Sequence, residues 1–234
     1  MTSQTTAALP QSGSPAVAIF DLDGTLTRHD TLTPWLWQLC WRQPSRWLLI
    51  FVSLSVALVQ YLWQPDRGRL KARWLALALA PYTQIKARAL AQAYVTRLLA
   101  DPTRWNPVLR ARLSAHQARG DITILMSASV DLYVPLLAQA LHFTHCECTQ
   151  LAWHDARCQA HLASDNVRGS VKAARLRDRI LPQYPQAKTY AYGNAASDIA
   201  HLRQVDYGFL VNANASARRQ AKAVGIHIGC DDPL

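Results

Sequence analysis

Acidic side chains are scarce in this sequence of 234 residues. Asp and Glu number 15 against 25 Lys and Arg, a formal net charge of +10. That excess implies an anionic partner: nucleic acid, an anionic membrane surface or a phosphorylated substrate. The five cysteines, Cys40, Cys146, Cys148, Cys158 and Cys230, are odd in number and irregular in spacing. They form no disulfide framework and read as reduced thiols of a cytoplasmic protein. Residues 1–15 lack both a basic stretch and an apolar run, so no signal peptide is expected and the segment reads as a disordered tail. Internal repeats are lacking too. Half of the residues (50%) are hydrophobic, which excludes a mainly disordered chain. A mean hydropathy near zero argues against a polytopic membrane protein but leaves room for one membrane-touching segment.

What is present alternates between strands and helices. Residues 16–20 (AVAIF) form a short apolar run ending at Asp21, the pattern of a buried strand. Residues 30–119 are helical almost throughout, punctuated by Pro44, Pro65, Pro81 and Pro102. Further strands are expected at 121–126, 187–192 and 207–211, and helices at 130–141, 170–180, 195–202 and 213–224. Short strands around a turn at 155–157 fill residues 142–162. This order predicts an α/β fold, a parallel sheet with helices on both faces. The helical stretch is too long for one crossover and reads as a cap inserted between the first two strands. The expected division is a tail at 1–15, a core of 16–29 and 120–234, and a cap of 30–119.

The chemistry concentrates in Phe20-Asp21-Leu22-Asp23-Gly24-Thr25-Leu26-Thr27. Two carboxylates at alternate positions, at the carboxyl end of a buried strand, stand where open α/β sheets bind ligands. One can attack as a nucleophile while the other protonates a leaving oxygen and later activates water. Gly24 and Thr25 would turn backbone N–H groups toward an anion. A turn capped by Asp is the plain structural alternative.

This string resembles the first motif of the haloacid dehalogenase (HAD) superfamily, and the others follow in order. The second is an apolar strand ending in a hydroxyl residue, here Ile122 to Ser127, then Ala128-Ser129. The third is a helix Lys after Asn and Gly, here Asn166-Val167-Arg168-Gly169-Ser170-Val171-Lys172. The fourth is Gly193-Asn194 after an apolar strand, followed by Asp198. The resemblance implies a HAD-like, Rossmann-like core and a phosphatase. It makes Asp21 the nucleophile that forms an aspartyl-phosphate and Asp23 the general acid and base. Ser127, Lys172, Gly24 and Ala128 would bind the phosphate. Asp21, the Asp23 backbone carbonyl, Asn194 and Asp198 would hold Mg²⁺. Asn194 departs from the commoner Asp and removes one negative charge, which on its own motivates a non-catalytic anion- or lipid-binding reading.

Residues 21–36 resemble the phosphoserine-phosphatase-like branch (HAD-IB). Asp30 then matches an acid near the substrate amine, and Lys71 and Arg73 fall in a cap segment that can meet a substrate anion. Asp30 is equally readable as a capping or surface acid, and for Lys71 and Arg73 a solvated face is the favoured plain reading. Six of the eight Trp fall in the first third of the chain, at 35, 37, 41, 47, 63 and 74. Residues 47–63 carry no charge and have Trp at both ends, as in an interfacial aromatic belt. Arg42 and Arg46 precede them; Arg67, Arg69, Lys71 and Arg73 follow. Three arrangements are open: a single span, a helix lying in the membrane interface, or a helix buried in the cap. This apolar cap is similar to that of bacterial phosphatidylglycerophosphatase C-like proteins. The similarity implies a lipid phosphate substrate, an anionic membrane partner through residues 42–74, and a place at the cytoplasmic face of the inner membrane. A soluble phosphatase for a small metabolite such as phosphoserine is the alternative.

His142, His145, Cys146, Cys148, His154, Cys158 and His161 crowd into one stretch. They lack paired zinc-ligand spacing and read as ordinary hairpin residues. The Arg residues follow no recognition motif, so no nucleic-acid partner is expected.

Overall fold

The computed structural model describes residues 15–63 and 66–230. The expected tail, 1–15, therefore lies outside the described residues except for Pro15. The first strand, β1 (Val17–Phe20), is buried at every position and ends at Asp21. A helical insertion follows: α1 (Leu32–Trp41), α2 (Trp47–Trp63), α3 (Arg67–Leu79) and α4 (Gln84–Ala100). Helix α5 (Pro107–Ala118) begins at an Asn106–Pro107 start, where the Asn106 side chain accepts from the N–H groups of Val108 and Leu109. The chain leaves and re-enters the core side by side, because Thr27 and Trp105 form an antiparallel bridge. Helix α5 thus sits on the core: its His116 bonds Tyr192 Oη at 2.9 Å and meets the Phe20 ring edge-on.

The core continues with β2 (Ile122–Val130), α6 (Val134–Ala140), β3 (His145–Thr149), β4 (Leu151–His154) and β5 (Arg157–Leu162). It closes with α7 (Ser170–Arg175), β6 (Thr189–Gly193), α8 (Ile199–Leu202), β7 (Tyr207–Leu210), α9 (Ala215–Ala223) and β8 (His227–Ile228). A wider helical turn, Leu176–Ile180, extends α7. The six strands of the main sheet run parallel in the order β3-β2-β1-β6-β7-β8. The chain winds one way from β1 through β2 to β3 and the other way from β6 outward. The switch point is therefore the crevice beside β1, where parallel sheets open toward ligands. Val17 and Ile19 pack on one face of the sheet with α7 and α9, and Ala18 and Phe20 on the other with the cap and α5.

Two expectations shift, and one strand beyond the expected last one is added. Strand β2 runs to Val130 because β3 follows it past an irregularity, pairing Ser127 with Cys148 and Val130 with Thr149. The helix expected at 130–141 accordingly begins at Val134. Strand β8 has two residues, too few for any period to register. The β4–β5 hairpin turns through Asp155 and Ala156, both at positive φ, and lies under the cap. Arg157 donates to the Ala80 carbonyl, and Gln84 N–H to that of Ala156.

Helix α2 overturns the reading of residues 47–63 as cap core. Only Ile50 and Ala57 are buried. Leu48, Leu62 and Trp63 are 77%, 73% and 83% exposed. The reason is geometric: α2 packs mainly on α3 and α1, which cover one narrow stripe of it. Pro44–Trp63, 20 residues, is long and apolar enough to cross a membrane by length and composition. Monomers rarely leave a contiguous apolar surface of this kind bare.

Candidate active site

Asp21 sits at the carboxyl end of β1, and the chain then makes a wide turn over Leu22–Leu26. Gly24 allows that turn at φ +80°, and a Cβ there would stand 2.0 Å from the Asn194 Nδ2 atom. A second close approach is at Gly193, whose Cβ would lie 2.7 Å from that of Asp198. Gly24 brings the ends of β1 and β6 together, and Gly193 lets the turn after β6 fold Asp198 back against it.

Asp21 Oδ1 accepts from Lys172 Nζ at 2.7 Å, and Asp21 Oδ2 from Thr25 Oγ1 at 2.9 Å. Lys172 also reaches Asp198 Oδ1 at 3.4 Å. All three side chains are buried. Asp198 Oδ2 accepts from the N–H groups of Asn194 and Ala195 at 3.1 and 3.0 Å. Burial pushes Asp21 above the usual carboxylate range, against the pull of Lys172. Burial acts on Asp198 too, but Lys172 and the two backbone donors hold it below that range. Burial opposes the Lys172 charge, yet the two carboxylates hold its pKa above the ordinary lysine value.

Asp23 has its own partners. Its Oδ1 accepts from Thr31 N and Thr31 Oγ1 at 2.7 and 2.6 Å, and its Oδ2 from Ser129 Oγ at 2.6 Å. The Thr31 hydroxyl spends its proton on Asp23, so the Tyr133 hydroxyl 2.8 Å away donates to Thr31. Burial, with Asp30 adding to it, raises the Asp23 pKa, while Ser129 and Thr31 restrain the rise. Two carboxylates two residues apart thus occupy different environments, one against an ammonium and one against hydroxyls.

Asp21, Asp23, Asp30, Lys71, Ala128, Lys172, Asn194 and Asp198 all line one pocket of about 190 Å³. Gly24 lies on its β1 rim beside Asn194. Ser127 is fully buried behind that wall, where its Oγ accepts from Ser129 N–H. Asp30 caps α1, accepting from Leu32 and Thr33 N–H. Lys71 donates to the Ala128 carbonyl at 2.7 Å, to Thr149 Oγ1 at 3.3 Å and to Asn166 Oδ1. Its three protons are therefore committed to the protein, and it ties α3 to the ends of β2 and β3. Arg73 lies apart from the pocket, in a groove between α2 and α3.

The sequence pattern assigns no site role to Thr31, Ser129, Tyr133, Arg67 or Arg168, although Ser129 and Arg168 fall within the motif strings and Arg67 among the basic residues that follow 47–63. Ser129 carried the one available signal, a second hydroxyl two residues after Ser127. The others come from the cap, α6 and the loop before α7, and no local pattern joins them.

The donors that would suit a metal are the Asp21 and Asp198 carboxylates and the Asn194 amide, all facing the same pocket. They are oxygen ligands, and the two carboxylates exceed the Lys172 charge by one, which fits a hard divalent cation such as Mg²⁺. Among the described residues, no three His, Cys, Asp or Glu side chains converge as a metal site by themselves. That holds for the Cys- and His-rich stretch of β3 to β5 as well.

The family model for haloacid dehalogenase-like hydrolases matches residues 18–203. Protein CicA of Caulobacter vibrioides is 31% identical over 209 residues, covering 86% of this chain and 89% of that protein. A probable phosphatase of Mycobacterium tuberculosis, Rv3661, is 28% identical over 114 residues, 48% of this chain and 39% of that one. Among solved structures, a Bordetella pertussis protein of unknown function superposes with TM-score 0.73 at 18% identity, covering 92% of this chain and 98% of that one. A phosphoserine phosphatase solved as a phospho-aspartyl intermediate analogue superposes with TM-score 0.63 at 12% identity, covering 94% and 95%. These last two likenesses establish the fold.

Proposed function

Because the chain belongs to the haloacid dehalogenase-like hydrolase family, we propose that it hydrolyses phosphomonoesters through an aspartyl-phosphate on Asp21, and that its substrate is a membrane lipid phosphate such as phosphatidylglycerophosphate. The carrying observation for the chemistry is the pairing of Asp21 with Lys172 while Asp23 is held apart by Thr31 and Ser129. An Asp21 oxygen attacks phosphorus, and the bond to the leaving oxygen breaks. Asp23, whose pKa burial raises, gives that oxygen its proton. Asp23 then takes a proton from water as the water oxygen attacks phosphorus and the bond to Asp21 breaks. Lys172 turns an N–H toward the phosphoryl oxygens. Asp21, the Asp23 carbonyl, Asn194 and Asp198 would hold Mg²⁺, which supplies further neutralisation of phosphoryl charge.

Ser129 donates to Asp23 and so lowers its pKa. Removing that donor raises the pKa. The acid form of Asp23 then survives to higher pH, and in Ser129→Ala the alkaline limb of kcat/KM moves upward, by about half a unit to one unit. A pH–rate profile with p-nitrophenyl phosphate reads this. An unmoved or lowered limb removes Asp23 from the acid role.

The lipid reading rests on α2. Its apolar surface is bare, Trp47 and Trp63 mark its ends, and basic residues flank it on both sides. Both α1 and α3 pack on the same core, so the two ends of α2 belong on one side of a bilayer. That placement favours an interfacial helix over a span. Basic flanks suit anionic lipid at the cytoplasmic face. A volume of about 190 Å³ suits a phosphorylated headgroup better than acyl chains.

Sedimentation with phosphatidylglycerol vesicles, and phosphate release from phosphatidylglycerophosphate within them, tests the reading. The wild type is expected to sediment and turn the lipid over. A triple variant, Leu48→Gln, Phe51→Gln and Leu62→Gln, is expected to stay in the supernatant and lose lipid turnover while still hydrolysing p-nitrophenyl phosphate. Turnover of phosphoserine without turnover of the lipid favours the soluble alternative.

A further inference from the structure

A second concavity, of about 500 Å³, lies between α2 and α3, outside the catalytic pocket. Its walls differ in kind. Helix α2 supplies Val59, Tyr61 and Trp63, and α3 supplies Arg69, Leu70 and Arg73. Val59 and Trp63 are 54% and 83% exposed, so the groove opens onto the bare apolar surface of α2. The catalytic pocket takes Arg67 and Lys71 from the same α3. Residues two apart on a helix point about 200° apart. Helix α3 thus turns one face, Arg67 and Lys71, to the reacting site and another, Arg69 and Arg73, to the groove, and the two sites share no lining residue. The charges of the groove do not balance. Asp66 lines it too, but Asp66 Oδ1 caps α3 by accepting from Arg69 N–H at 3.0 Å, and Oδ2 pairs with Arg69 Nε at 3.2 Å. Arg73 is exposed, and among the described residues its guanidinium has no hydrogen-bond or ion-pair partner. One positive charge is left over beside an apolar wall.

We propose that the α2–α3 groove binds one anionic phospholipid that is not the substrate, its phosphodiester against Arg73 and its acyl chains along α2. The match is one of charge and of surface. A phosphodiester carries a single negative charge, equal to the one the groove leaves unpaired, whereas a phosphomonoester carries close to two at neutral pH. A guanidinium fork takes two phosphate oxygens at once. Apolar chains leaving such a headgroup meet Val59 and Trp63 rather than water. Attraction of basic flanks to a bilayer is diffuse and counts every Arg and Lys about equally; this site depends on one residue. It rests on the lipid-facing reading of α2 for the source of its ligand. A lipid seated here fixes the cap on the bilayer through the same helix that carries Arg67 and Lys71 at the catalytic pocket.

The probes are dihexanoylphosphatidylglycerol and dihexanoylphosphatidylcholine, kept below their micelle concentrations and titrated calorimetrically into the full chain. They share acyl chains and phosphodiester, and only choline adds a compensating cation. The wild type is expected to bind the anionic lipid about 10–100-fold more tightly, the range of a charge-assisted contact. In Arg73→Gln that ratio falls toward one. Arg73→Lys, which keeps the charge without the fork, recovers part of it. Arg219→Gln removes an equal charge from the exposed side of α9 and leaves the ratio unchanged. Thermal melting of each variant reports that the fold persists. Absence of binding, a wild-type ratio near one, a ratio that survives Arg73→Gln, or an equal fall in Arg219→Gln overturns the site. A fall in Arg67→Gln without one in Arg73→Gln puts the lipid in the catalytic pocket and overturns it too. The membrane reading fails separately. A wild type that binds the soluble lipid through Arg73, yet stays in the supernatant with phosphatidylglycerol vesicles, keeps the site and loses the interfacial helix.

Discussion

Asp21→Asn is expected to release no measurable phosphate from p-nitrophenyl phosphate, a loss in kcat on the order of 10⁴-fold or more. An amide oxygen is a poor nucleophile and cannot form the acyl phosphate. The exchange is nearly isosteric, so packing around β1 is preserved. Burial already disfavours the Asp21 charge in the fold, as its raised pKa shows. Removing that charge therefore leaves the melting temperature within a few degrees of the wild type or raises it. Lys172 keeps Asp198 as its partner at 3.4 Å. Acid quenching during turnover of ³²P-labelled substrate gives a direct readout. The wild type should carry label on the protein and the variant none. A fully active Asp21→Asn protein would remove Asp21 from the nucleophile role. An inactive wild type would instead support the non-catalytic reading raised by Asn194.

Lys172→Met is expected to be the most destabilising single change at the site. Methionine fills a similar volume, so the effect is electrostatic. Lys172 is 1% exposed and stands between Asp21 at 2.7 Å and Asp198 at 3.4 Å. Its removal leaves two buried carboxylates facing one another without a counter-charge. Breaking a buried ion pair from one side costs about 3–5 kcal/mol. For a chain of this size that lowers the melting temperature on the order of 10 °C. Magnesium provides a second readout. If Asp21, Asn194 and Asp198 hold a divalent cation, millimolar Mg²⁺ should recover more stability in Lys172→Met than in the wild type, because the variant has the larger unbalanced charge. Scanning fluorimetry with and without Mg²⁺ measures both effects. An unchanged melting temperature without the metal, or an equal gain in the two proteins, would contradict this account of the site.

The parts of this protein legible in its sequence are those set by neighbours along the chain. An unbroken apolar run ending in Asp21-Leu22-Asp23-Gly24 specifies a central buried strand and a tight turn. Val17–Phe20 takes the middle of the parallel sheet because a strand apolar on both faces is stable nowhere else. Lys172 and Asp198 were recognisable because each follows a motif with its own strand or helix signal. The Trp-ended run was visible as one uncharged helix, and it forms as α2 over the same residues.

Pairings between distant segments had no such signal. Whether α2 would be buried depended on how much surface α1 and α3 could cover, a question of helix packing that no periodicity answers. Lys71 and Arg73 lie two residues apart on α3, yet one ties the cap to the core beside the pocket and the other points into the α2–α3 groove. Their composition is alike; only the helix's rotation over the sheet separates them. The donors that hold Asp23 come from the start of α1 and the end of β2, and Thr31 and Ser129 meet there because the cap folds back over the switch point. The sequence by itself determined the parallel core, the paired carboxylates and the apolar helix, each specified by residues within a few positions of one another. Tertiary structure decided which charges are buried and spent, which are exposed and free, and which face of the cap is left bare, because those depend on surfaces that meet only when the chain has closed on itself.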